Sequence, residues 1–135
     1  MQDDYSFMDV NLDEAKDMVI LPDGTPAELE VRSVKIVPEK SYIAINFKPL
    51  NQSEFVSSFT ERVFFPKEDD EAEKRNNKLL QIKKVVAAFD LGSPREISEE
   101  YLLGKTVWAV LGIEHDSSGV YPDKNRVKQY MASQG

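Results

Sequence analysis

The alternation of apolar and polar residues predicts a run of strands along the first half of the chain. From Ala27 to Val37, Leu29 and Val31 share one parity and Val34 and Ile36 the other. A strand whose alternation slips by one residue carries a bulge, here near Arg32-Ser33, and a bulge bends the strand. Pro38 closes it, and Pro38–Ser41 is short enough for a hairpin. From Tyr42 to Lys48, Ile43, Ile45 and Phe47 alternate with Tyr42, Ala44, Asn46 and Lys48, a second strand. Pro49–Ser53 makes a turn, and Glu54 to Phe65 reads as a third strand. Phe55, Phe59, Val63 and Phe65 on one parity face Val56 and Phe64 on the other, as in a strand buried on both sides for part of its length.

The period changes between Pro66 and Leu91. Leu79, Ile82, Val86 and Phe89 recur at helical spacing, with Glu68-Asp69-Asp70-Glu71 in the first turn and Gly92 as the C-cap. Ser98 caps a further short helix reaching Leu103. Lys105 to Glu114 is a fourth strand, Asp116-Ser117-Ser118-Gly119 a turn, and Asn125 to Met131 a fifth strand. The dense turn Leu21-Pro22-Asp23-Gly24-Thr25-Pro26 opens this body, because proline presets one backbone angle and Gly24 accepts positive φ. Residues 1–20 form an acidic N-terminal arm that packs over the domain or stays loose, and residues 21–135 form one domain.

Three strands, a helix and two strands, joined by short connections, is the string of a mainly β, five-stranded Greek-key OB-fold-like barrel with its helix between strands three and four. An α+β sandwich gives the same string. Strong coiling of a bulged first strand suits barrel closure.

Composition narrows the chemistry. The chain has 135 residues and no cysteine, which excludes disulfides, thiolate metal sites and thiol nucleophiles. His115 is the single histidine, so a multi-histidine metal site is excluded too. No apolar run approaches the ~18–20 residues of a membrane span, and MQDDYSF lacks the character of a signal peptide. The expectation is a soluble intracellular protein without membrane contact. Glu114-His115-Asp116 alternate in direction along a strand and do not converge on one ion. Glu68–Glu71 are more simply helix N-terminal acids than magnesium ligands. With no phosphate loop, nucleophile elbow or paired catalytic carboxylates, a non-enzymatic protein without cofactors is expected.

The formal charge of −7 argues mildly against a nucleic-acid binder, but its distribution is uneven. Residues 1–73 carry 17 acids and 7 bases; residues 74–135 carry 7 acids and 10 bases. On the last strand Lys124, Arg126, Lys128 and Tyr130 share one parity. Cations neutralise phosphates and rings stack on bases, the combination used by single-strand binders. An ordinary solvated face with a half-buried Tyr130 is the bland alternative. Tyr42 and Lys48 on strand two, Arg62 on strand three, and Tyr121 and Lys124 in the last loop would join that groove if the barrel forms. Trp108 falls on the parity opposite Val107, Ala109, Leu111 and Ile113. It is either an exposed stacking platform or a ring packed beneath the helix or arm, burial being the commoner fate of a large aromatic.

Several short motifs resemble a family of small bacteriophage proteins, mostly catalogued as proteins of unknown function. They are Phe7-Met8-Asp9-Val10, Leu21-Pro22-Asp23-Gly24-Thr25-Pro26 with the strand after it, Leu103-Gly104-Lys105-Thr106-Val107, and Tyr121-Pro122-Asp123-Lys124-Asn125-Arg126-Val127-Lys128-Gln129-Tyr130. Pro26 stands where that family has an aromatic residue, and Met131-Ala132-Ser133-Gln134-Gly135 lacks the acidic tail common among phage single-strand binders. The resemblance implies an OB-like protein that coats single-stranded DNA in the cytoplasm of an infected bacterium, beside replication or recombination proteins. The acidic arm would then replace the missing tail in recruiting partners, or cover the groove. A protein-interaction adaptor of such a complex is the alternative function. Homo-oligomerisation is open.

Overall fold

The computed structural model describes residues 5–131. Asp3 and Asp4 of the acidic arm, and residues 132–135 after the last strand, lie outside the described residues. Among the described residues five strands and two α-helices follow the arm: β1 Pro26–Val37, β2 Tyr42–Pro49, β3 Phe59–Phe64, α1 Ala72–Ala88, α2 Glu99–Leu102, β4 Thr106–Glu114 and β5 Lys124–Tyr130. The strands form one antiparallel sheet in the order β3-β2-β1-β4-β5. Thus β3 and β5 are its two edges, and among the described residues no ladder joins them.

The slip of alternation in β1 has the physical result expected of it. The register with β2 shifts between Val31 and Ser33, so Arg32 bulges outward and Val34 returns to the side that faces Ile45. Ahead of the bulge β1 pairs with both neighbours, Leu29 lying opposite Pro49 of β2 and Val107 of β4. Gly24 takes φ +84° in the turn before β1, and the turn is fixed by its amide donating to Leu111 O at 2.8 Å.

The core collects the inward parity of each strand: Ala27, Leu29 and Val31, then Ile43, Ile45 and Phe47, then Phe59 and Val63, then Val107, Ala109 and Leu111. The helices close it with Ile82, Val85, Phe89, Ile97 and Leu102. Burial of this apolar area is the main stabilising term.

Five local expectations change. β3 is shorter than the apolar run suggested, because Val56 leaves the sheet and bridges Val19 of the arm in parallel. The face carried by Phe64 is open rather than buried, Phe64 being 43% exposed. On α1 the buried positions are Ile82 and Val85, while Leu79 faces solvent. The acids Glu68–Asp70 precede the helix, with Glu71 at its N-cap. Asp70 accepts from the Lys67 amide and from Lys78 Nζ, which together hold its carboxyl below the ordinary range. The left-handed residue ending α1 is Asp90 at φ +54°, not Gly92. Leu91 N then donates back to Val86 O at 2.9 Å, the wrap-around bond of a helix terminus.

One buried polar side chain ties the entry of the domain to its last strand. Asn125, 1% exposed, accepts from Leu21 N at 2.8 Å and donates to Leu21 O at 2.9 Å and Gly112 O at 3.1 Å. Replacing it with an apolar residue leaves several buried polar groups unpaired, each costing about 1–3 kcal/mol. Asn125→Leu is expected to lower unfolding free energy by at least about 2 kcal/mol on that scale. Urea denaturation checks this, and a variant as stable as the parent would contradict it.

Candidate nucleic-acid interface

β2 and β3 present one outward parity together. Tyr42 lies opposite Phe64, Ala44 opposite Arg62 and Asn46 opposite Thr60. The rings of Tyr42 and Phe64 are 5.3 Å apart and tilted by 55°. The Arg62 guanidinium stands 5.6 Å from the Tyr42 centroid, within cation–π range. Asn46 Nδ2 donates to Thr60 Oγ1 at 3.1 Å, fixing the polar row beside them. Two adjoining rings and a cation thus share a solvent-facing patch.

Tyr42 and Arg62 were legible as candidates, but Phe64 was not. Its parity with Arg62 and Thr60 was the signal, hidden because the surrounding Phe/Val run reads as interior.

The other candidates divide. Tyr121 and Lys124 line a cavity of about 570 Å³ with Ser57 and Ser58, which lead into β3. Tyr121 is exposed, and its loop is organised by Asp116, whose Oδ2 accepts from the amides of Val120 and Tyr121 at 3.0 Å each. Together with the Ser118 hydroxyl, the first cause, these donors hold the Asp116 carboxyl below its usual range. Lys124 pairs with Glu114 at 3.5 Å, and His115 with Asp123 at 2.9 Å. Arg126 is exposed, and among the described residues it makes no salt bridge. Lys48 is half-buried and donates to Val56 O, so it supports the segment before β3. Lys128 lies 3.6 Å from Asp23.

Two rings stand apart from the patch. Trp108 is 49% exposed, which corrects the expectation of burial: its parity is the solvent side of β4, opposite Glu28. It does not join Tyr42. Tyr42 pairs with Val37 of β1 and Trp108 with Glu28, nine residues earlier, roughly 25–30 Å along a strand at about 3.3 Å per residue. Tyr130 is the second correction. The β4–β5 register shifts between Val110 and Leu111, so that Val110 faces Gln129 and Leu111 faces Val127, and Lys128 is the extra residue. That bulge reverses parity. Tyr130 faces inward beside Ala109 and packs on the core instead of sharing a face with Lys124 and Arg126. Burial pushes its phenol well above the usual range, and Glu61 adds to the effect.

Glu61 occupies the seam between the edge strands. Its Oε1 accepts from Val127 N at 2.5 Å. Burial raises its pKa, the Val127 amide opposes this, Glu114 raises it further, and Arg126 and Lys124 lower it. These two cations of β5 therefore stand near enough to β3 to bias its carboxylate. A carboxyl whose pKa rises on folding favours the folded state at low pH and loses that contribution as pH climbs through its ordinary value to the raised one. Glu61→Gln keeps an oxygen for the Val127 amide and removes the titration. Its melting temperature is expected to match or exceed the parent's at pH 7, with any advantage gone at pH 4. Thermal melts at the two pH values check this, and a larger deficit at pH 7 than at pH 4 would contradict it.

Among the described residues no three His, Asp or Glu side chains gather as a candidate cation site. No family model matches the chain, and no curated protein matches it.

Proposed function

We propose that this protein binds single-stranded DNA without sequence preference, as a non-enzymatic component of phage DNA replication or recombination. The observation that carries the reading is the solvent-facing cluster of Tyr42, Phe64 and Arg62, where rings available to bases adjoin a cation available to phosphate. Base–aromatic stacking contributes about 1–3 kcal/mol per base and tolerates any sequence. Arg126, Lys124 and Tyr121 extend the contact toward the last loop. The proposed architecture is an OB-like Greek-key barrel whose seam lies between β3 and β5. The sheet order supports it, as does the Glu61–Val127 hydrogen bond across that seam. The family resemblance in the turn before β1 and along β5 points the same way, and implies action in the cytoplasm of an infected bacterium. Among the described residues no helix is long and apolar enough to cross a membrane.

The test is fluorescence anisotropy of a labelled strand of about 30 nucleotides, long enough for several sites of OB size. With about four phosphates neutralised, log affinity should fall against log salt with a slope near −3, at about −0.7 per contact. A matched duplex should bind far more weakly, because its bases are not free to stack. Salt-independent affinity would contradict the mechanism. Absence of binding at low salt would favour the adaptor reading, for which the exposed apolar side chains of the arm, Phe7, Met8, Val10 and Leu12, are the supporting observation.

A further inference from the structure

A second surface, adjoining the Phe64 side of the Tyr42 patch at Gln81, lies between α1 and the end of β5. Gln81, Lys84 and Ala87 form one wall of this groove, and Lys128, Tyr130 and Met131 the other, around a cavity of about 810 Å³. Two lysines line it, Lys84 and Lys128, the second 3.6 Å from Asp23, and no acidic residue does. Tyr130 also brings an unanswered polar group: its hydroxyl is buried and has no hydrogen-bond partner among the described residues. A groove with an apolar floor, a positive rim and an orphaned hydroxyl suits an acidic, apolar peptide.

The chain itself carries such a peptide. Over residues 5–18 the acids Asp9, Asp13, Glu14 and Asp17 face a single base, Lys16. Phe7, Met8, Val10 and Leu12 between them are exposed. The end of the arm is held to the domain, where Val19 bridges Val56 and Leu21 is gripped by Asn125. Docking of the arm onto its own groove would bury both surfaces within one molecule, yet both stand open. We infer that the arm of one molecule docks in the α1–β5 groove of a second copy, with its acids against Lys84 and its apolar side chains over Ala87 and Met131. Association is read without nucleic acid present, so its failure and the failure of DNA binding are distinguishable.

Light scattering on the full chain from about 2 to about 200 µM, the range in which small interfaces dissociate, tests this. The mass should rise from the 15.4 kDa of one chain toward at least twice that value, less so at high salt. Deleting residues 2–18 should hold the protein at single-chain mass. Gln81→Glu with Lys84→Glu should weaken association at least about tenfold, and adding Asp13→Lys and Glu14→Lys should restore it. Because the chain has no cysteine, Leu12→Cys and Ala87→Cys variants mixed under oxidation should yield more covalent dimer than either alone. A full chain that stays at single-chain mass throughout overturns the inference. So does a truncated chain that associates as tightly as the parent, or a cross-link no stronger in the mixture.

Discussion

Phe47→Ala is expected to remove about 3–5 kcal/mol of stability, the range for truncating a buried phenylalanine. The ring is fully buried on β2. It lies 5.9 Å from Phe59 of β3 and stacks nearly parallel on Phe89, 6.3 Å away, at the end of α1. Its backbone partner in β1 is Val31, the last residue before the bulge. One side chain therefore links an edge strand, the coiled central strand and the helix. Alanine leaves a void bounded by three rigid elements, which limits relaxation, so the cost should fall in the upper part of that range. Against a total of about 5–15 kcal/mol for a domain, this is a large share. Urea unfolding should show a lower midpoint with an unchanged slope, since the surface exposed on unfolding is nearly the same. Phe47→Leu, which refills part of the space, should cost less. A loss below about 1 kcal/mol for alanine would mean that Phe89 does not seat on the sheet as described.

How far the sequence discloses this arrangement depends on how local each determinant is. The β1 bulge was legible because a strand whose apolar alternation slips by one can keep both halves on the core only by bulging, and the register shift falls at Arg32. The β5 bulge was not. Lys124, Arg126, Lys128 and Tyr130 keep perfect parity in the sequence, and only pairing with β4 shows that Lys128 is extra and Tyr130 turns inward. Phe64 was hidden for a related reason. Thr60 and Arg62 share its parity, but Glu61 stands on the other, so the alternation alone does not decide which side meets water, and the pairing of Phe64 with Tyr42 does. Trp108 had the right parity, but a size-based preference for burial weighed against it. The α1 terminus shows the same limit at short range, since Asp90 supplies the left-handed turn two residues before the glycine that signals it. Charge was the least legible property. Lys48 and Lys128 look like free cations in the sequence, whereas the first is spent on Val56 O and the second sits beside Asp23.

The patch can be separated into stacking and electrostatic parts by two substitutions with different salt signatures. Phe64→Ala removes a ring that is 43% exposed, so its cost to folding should be small beside that of Phe47→Ala. If a base stacks there, affinity for a single strand should drop by about 1–3 kcal/mol, roughly five- to 150-fold. The slope of log affinity against log salt should stay as it was, because no counterion is involved. Arg62→Ala should behave differently. It deletes one cation, so the slope should become shallower by about 0.7. It also frees the Tyr42 ring from the guanidinium 5.6 Å away, so part of its effect should persist at high salt. Anisotropy titrations at several salt concentrations read both quantities from one data set. An unchanged affinity for Phe64→Ala would remove the patch from the binding path and shift attention to Tyr121, Lys124 and Arg126. A change of slope for Phe64→Ala equal to that of Arg62→Ala would mean that the ring acts by holding the cation in place rather than by stacking.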